Sequence, residues 1–97
     1  MQGECIVNCG TLEIEPEVWA APMENGDLAI VVVNWGFFSH TPNIKLAQLG
    51  LSGTYIIRDL ELHENILTTE TNFYTEAIPA HGSKTYRLRA SSPQVYL

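Results

Sequence analysis

The chain has 97 residues, enough for one domain and far short of a complete (β/α)8 enzyme barrel of about 250 residues. An apolar fraction of 45% with 16% charged residues is ordinary globular composition and excludes a disordered chain. Five Lys+Arg, scattered along the sequence, against eleven Asp+Glu give a net charge of −6, so the clustered cations that nucleic acid requires are missing.

Taken in chain order, short β-type runs alternate with turn punctuation. The first is Cys5-Ile6-Val7, ended by Asn8 and Gly10. Cys5 and Cys9 are the only cysteines, and their spacing matches neither C-x-x-C redox chemistry nor a zinc site. On a straight strand their Cα atoms would lie roughly 13 Å apart, beyond disulfide reach, which favours two buried free thiols. A bridge would need a bend at Asn8 or a tight loop around Gly10.

Pro16 opens the next run, Glu17-Val18-Trp19-Ala20-Ala21, and places it at a strand start because proline cannot donate to a ladder. Asn25-Gly26 then predicts a type I′ hairpin into Leu28–Asn34. That run begins with six consecutive apolar residues, four of them β-branched, and reads as a central strand. After Trp35-Gly36 the chain loops through Phe37-Phe38-Ser39-His40-Thr41-Pro42 and resumes at Asn43-Ile44-Lys45. Leu46-Ala47-Gln48-Leu49 is one helical turn stopped by Gly50. Further strands follow at 54–60, 66–68 and 73–78, with turns at His63-Glu64-Asn65 and Pro79-Ala80-His81-Gly82. In the last strand, Lys84 to Arg89, alternation puts Tyr86 and Leu88 inward and Thr85, Arg87 and Arg89 outward. Together these predict an all-β fold, a two-sheet antiparallel β-sandwich of about eight strands with Greek-key connections. Residues 1–90 form the single domain, and the tail 91–97 is expected to fray.

Little in the sequence points to chemistry. Glu13, Glu15 and Glu17 alternate on one strand face and read as solvated, mutually repulsive carboxylates, unsuited to acid–base work. Asp27 and Asp59 read as structural or surface groups. His40, His63 and His81 fall in separate turns, 23 and 18 residues apart, with no fourth ligand indicated, so no metal site is expected. Ser39-His40 and His81-Gly82-Ser83 are sequence neighbours rather than a catalytic pair, and neither serine sits on a strand–turn–helix elbow. No Asn-x-Ser/Thr sequon occurs. No apolar run approaches the roughly 20 residues that span a bilayer, and Met1-Gln2-Gly3-Glu4 lacks signal-peptide character. Aromatic residues are the main functional resource. Trp19, Trp35, Phe37 and Phe38 are candidates for an interdomain docking face or, alternatively, a sugar-stacking platform. Two adjacent phenylalanines in a loop cannot both enter one core layer, so one of them meets a partner.

The run Glu17-Val18-Trp19-Ala20-Ala21-Pro22-Met23-Glu24-Asn25-Gly26-Asp27 resembles the C-terminal β-sandwich domain of the glycoside hydrolase family 27 α-galactosidases, whose members carry E-V-W-A-G-P-L before a turn and an apolar strand. The likeness extends over residues 2–89. It takes in Gln2-Gly3, Leu28 to Asn34 with Trp35-Gly36, Leu49-Gly50-Leu51, Arg58-Asp59-Leu60, Ile78-Pro79-Ala80-His81-Gly82 and Tyr86-Arg87-Leu88. Ala21, Met23 and Glu61 depart from the usual glycine, leucine and tryptophan. The resemblance implies a non-catalytic accessory domain that packs on a catalytic (β/α)8 barrel of the same protein. It implies a retaining α-galactosidase-like parent that works without a cofactor and is secreted or lysosomal. The catalytic aspartates of such enzymes lie on the barrel, and no position here matches their motifs. A carbohydrate-binding module for galactose-containing glycans is the alternative.

Overall fold

The computed structural model describes residues 3–10 and 15–91, within which eight strands run β1 Glu4–Val7, β2 Glu17–Pro22, β3 Leu28–Val33, β4 Asn43–Lys45, β5 Tyr55–Asp59, β6 Glu64–Thr69, β7 Asn72–Tyr74 and β8 Ser83–Ala90. All pairings are antiparallel. Six strands form one sheet in the order β1-β2-β3-β8-β5-β6, and β4-β7 form a second. The last strand therefore lies between β3 and β5, and the chain alternates between layers to reach it. The all-β sandwich expected from the turn spacing is the observed architecture.

Local chemistry accounts for the element ends. Pro16 immediately precedes β2, where its missing N–H interrupts no ladder. Leu46–Leu49 forms a single 3-10 turn, and Gly50 ends it at φ 75°, donating its N–H to Ala47. The β2–β3 hairpin differs from the predicted type I′ turn. Asn25 does not take positive φ, whereas Gly26 does at 88°. The Gly26 N–H donates to the Met23 carbonyl and the Met23 N–H to the Asp27 carbonyl, a three-residue loop with a glycine bulge. The Asn25 side chain instead accepts the Asp27 N–H at 3.2 Å, which holds Asn25 in the turn without left-handed backbone. The run expected at 73–78 pairs only to Tyr74, and Ile78 returns as an isolated bridge to His40. The turn near His63 covers residues 60–63, with His63 itself at φ 57°, and β6 begins at Glu64.

The cysteines correct the free-thiol expectation. Cys5 and Cys9 are bridged, with Cα atoms 5.9 Å apart. The bend that makes this possible combines a register shift between Cys5 and Val7 with Asn8 at φ 57° and Gly10 at φ 80°. Asn8 further anchors the bend by donating its side-chain amide to the Pro16 carbonyl at 3.1 Å. The straight-strand premise failed because asparagine accepts left-handed backbone at low cost.

The core lies between the sheets. Val18, Ala20, Ile30, Val32, Ile57, Tyr86 and Leu88 from the large sheet meet Ile44, Leu46, Phe73 and Ile78. Phe73 of β7 and Tyr86 of β8 join the layers edge to face, with ring centroids 5.4 Å apart. Burying each such large side chain contributes roughly 1.5–3 kcal/mol. Among the described residues, no helix is long and apolar enough to cross a membrane.

Candidate functional site

Trp19 sits on the outer face of β2, because Val18 and Ala20 occupy the core-facing positions on either side. Glu17 shares that outer face, yet it is only 6% exposed. Two indoles and a loop cover it. Glu17 Oε1 accepts the indole N–H of Trp35 at 2.8 Å and that of Trp19 at 3.2 Å. Glu17 Oε2 accepts the backbone N–H of Gly10, at the end of the disulfide loop, at 2.9 Å. Trp35 thus reaches a carboxylate 18 positions earlier in the chain, on the oxygen that Trp19 also contacts. The solvated-carboxylate reading of Glu17 is overturned: strand alternation assigns a face, but not what folds over that face. Glu15 is exposed, and Glu13 lies outside the described residues.

The loop after β3 carries the other aromatics. Asn34, fully buried, donates its side-chain amide to the carbonyls of Phe38, Ile78 and Pro79 and accepts the Gly36 N–H. This clamp folds 34–38 against the 78–82 turn. There Gly82 fits closely, since a Cβ would sit 3.0 Å from the Pro79 carbonyl oxygen and force the turn to give. Phe37 packs edge-on to His81, centroids 5.5 Å apart. Even so, Phe37 is 66% and Phe38 79% exposed, with Trp19 and Trp35 about two-fifths exposed. All four sequence candidates are therefore at the surface. The structure links Trp19 and Trp35 through Glu17, and carries Phe37 and Phe38 on the loop that Trp35 begins.

Two further carboxylates are buried, contrary to any surface reading. Asp27 receives Nε hydrogen bonds from Arg87 and Arg89 on one oxygen. Asp59 accepts the backbone N–H groups of Glu61 and Leu62, and the Lys84 ammonium lies 3.2 Å from its other oxygen. Lys84 was the missed partner. It is the second residue of β8, on the inward side with Tyr86 and Leu88, a position where period-2 patterning expects an apolar residue.

Burial opposes ionisation of Asp27, yet the hydrogen bonds and charges of Arg87 and Arg89 outweigh it and hold the carboxyl below the usual range. Asp59 is likewise held low against burial, by the Leu62 N–H, Lys84 and the Glu61 N–H. For Glu17 the Gly10 N–H is the largest cause, followed by Trp35 and Trp19. Lowered native pKa values mean that the unfolded chain takes up protons first as pH falls. Stability should accordingly be level near neutrality and decline below about pH 5. Urea midpoints measured between pH 7 and pH 3 check this, and a midpoint that holds or rises on acidification would contradict it. Among the described residues no three His, Cys, Asp or Glu side chains gather to hold a metal ion.

A six-on-two antiparallel sandwich with an exposed aromatic rim defines the class, an all-β sandwich domain. Residues 13–88 match the family model of the α-galactosidase C-terminal β-sandwich domain, and the chain belongs to that family. Among solved structures it is similar to a family 27 β-L-arabinopyranosidase from Geobacillus stearothermophilus (TM-score 0.81, 16% identity), covering 98% of this chain and 21% of that one. It also resembles α-galactosidase I from Mortierella vinacea (TM-score 0.76, 15% identity, 92% and 23% coverage). A third likeness is to the α-galactosidase of Saccharomyces cerevisiae (TM-score 0.69, 20% identity, 78% and 28% coverage). The chain spans between about a fifth and under a third of the length of each. Comparison with curated proteins finds no match.

Proposed function

We propose that this chain is the non-catalytic C-terminal accessory domain of a retaining α-galactosidase-like glycoside hydrolase, packing on the catalytic (β/α)8 barrel of the same protein. Residues 1–90 constitute that domain. Its docking face is the aromatic rim of Trp19, Trp35, Phe37 and Phe38. One observation carries this reading: both indole N–H groups are already spent on Glu17, so the exposed indole surface is almost purely apolar. Such surface gains most from a dry protein interface, and about 600–1,500 Å² is typical between domains. A sugar platform would instead keep polar groups free beside the stacking ring, which disfavours the glycan-binding alternative. A secreted or lysosomal setting fits the Cys5–Cys9 bridge, since oxidising compartments preserve disulfides.

Without its barrel the 97-residue chain should bury the rim against itself. Sedimentation analysis is expected to show concentration-dependent self-association that Phe38→Ser weakens substantially. A wild-type chain that stays strictly monomeric at millimolar concentration would defeat the docking-face assignment.

A further inference from the structure

Three of the five cationic side chains, scattered in sequence, converge on the outer face of the large sheet. Arg58 of β5 lies directly opposite Arg87 of β8, and Arg89 follows on the same face opposite Ile56. With Ile56 and Asn65 they line a groove of about 330 Å³. Like charges directly opposed across a ladder are destabilising, so this arrangement is costly unless an anion sits between them. Among the described residues, one acid is in contact with them. Arg87 and Arg89 both reach Asp27, through Nε alone, and their Nη groups have no hydrogen-bond partner among the described residues. Arg58 is held by neutral acceptors, Asn65 Oδ1 at 3.2 Å and the His63 carbonyl at 2.7 Å. Three positive charges thus face one negative charge, in a chain whose net charge is −6.

We propose that the groove lined by Arg58, Arg87 and Arg89 is an anion-binding site for a small ligand bearing a carboxylate, sulfate or phosphate group. Guanidinium forks match planar or tetrahedral oxyanions through paired N–H donors, and the open Nη groups supply them. The Asn65 and His63 contacts hold the Arg58 fork in place before anything binds, which lowers the ordering cost. The volume is at the small end of ligand pockets, suiting a single ring or free anion and excluding an extended chain. The acidic remainder of the surface repels anions, so this groove is where one would bind.

The test is an NMR titration of the 97-residue chain at constant ionic strength, with sodium sulfate, galacturonate and neutral galactose as probes. Saturable shifts at the Nε–H and backbone amides of Arg58, Arg87 and Arg89 are expected with the two anions and not with galactose. Tighter binding of galacturonate identifies an acidic sugar as the source of the oxyanion, and tighter sulfate a free anion. Arg58→Gln should weaken binding at least tenfold, and Arg89→Gln, whose side chain is more than half exposed, should do so without disturbing the fold. Shifts that fail to saturate, or that persist undiminished in both variants, would overturn the assignment.

Discussion

Lys84→Ala is expected to cost about 3–5 kcal/mol of folding stability, because it strands a buried charge. Asp59 is 1% exposed, and its Oδ2 has Lys84 Nζ at 3.2 Å as its cation. Burial also lowers the Lys84 pKa, but Asp59, Glu61 and Glu76 around the ammonium outweigh it and raise the value. The ion pair therefore persists through neutral pH, and deleting one member leaves a carboxylate that cannot recover its hydration. For a domain that resists unfolding by roughly 5–15 kcal/mol, the loss is a large fraction of the total. Thermal melts should show a midpoint lower by roughly 15 °C or more. The double variant Asp59→Asn with Lys84→Met should recover much of that loss, since replacing both partners avoids the stranded charge. Lys45→Ala, at an exposed position, should stay within about 0.5 kcal/mol of the parent chain. If Lys84→Ala melts within 3 °C of wild type, the pair has no structural role.

What was legible in the sequence followed from local chemistry. Pro16, Gly26 and Gly50 punctuate the chain where proline and glycine must, and Tyr86 and Leu88 show the clean alternation of a half-buried strand. What was not legible depended on residues far apart in sequence meeting in space. Glu17 reads as solvent-facing from its strand alone, and becomes buried because Trp35 and Gly10 fold over it. Arg58, Arg87 and Arg89 look scattered until β8 inserts beside β5. Nor could spacing alone bridge Cys5 and Cys9, because the bridge depends on a register shift and on left-handed backbone at Asn8 and Gly10. The exposure of Trp19, Trp35, Phe37 and Phe38 was legible for an energetic reason. Large apolar side chains in a short loop exceed what a thin sandwich core can absorb, and the surplus stays outside.

Asn34→Ala should damage both the fold and the aromatic rim, and the two effects share one cause. The side-chain amide has two hydrogens directed at three carbonyls, those of Phe38 at 2.8 Å, Ile78 at 3.0 Å and Pro79 at 3.2 Å. Its oxygen accepts the Gly36 N–H at 2.9 Å. Alanine abolishes all four contacts. Water can reach the Phe38 carbonyl on its exposed loop, and the Ile78 and Pro79 carbonyls keep the His40 and Gly82 N–H groups, but the buried Gly36 N–H would lose its acceptor. An orphaned buried group costs about 1–3 kcal/mol and each lost amide contact adds about 0.5–1.5 kcal/mol, so a total of about 3 kcal/mol is expected, measurable by urea unfolding. Asn34→Asp should be at least as harmful, since a carboxylate cannot donate to any of the three carbonyls and adds a buried charge. The loop effect separates this role from simple packing. Freed from the 78–82 turn, Phe37 should lose its edge contact with His81, and the His81 ring protons should lose their ring-current shift. Rim-dependent self-association should weaken in parallel, because Phe37 and Phe38 would no longer be presented in one fixed geometry. An alanine variant with unchanged stability and unaltered His81 resonances would mean that the loop holds its shape without Asn34, and that the rim is organised by the Glu17 contacts alone.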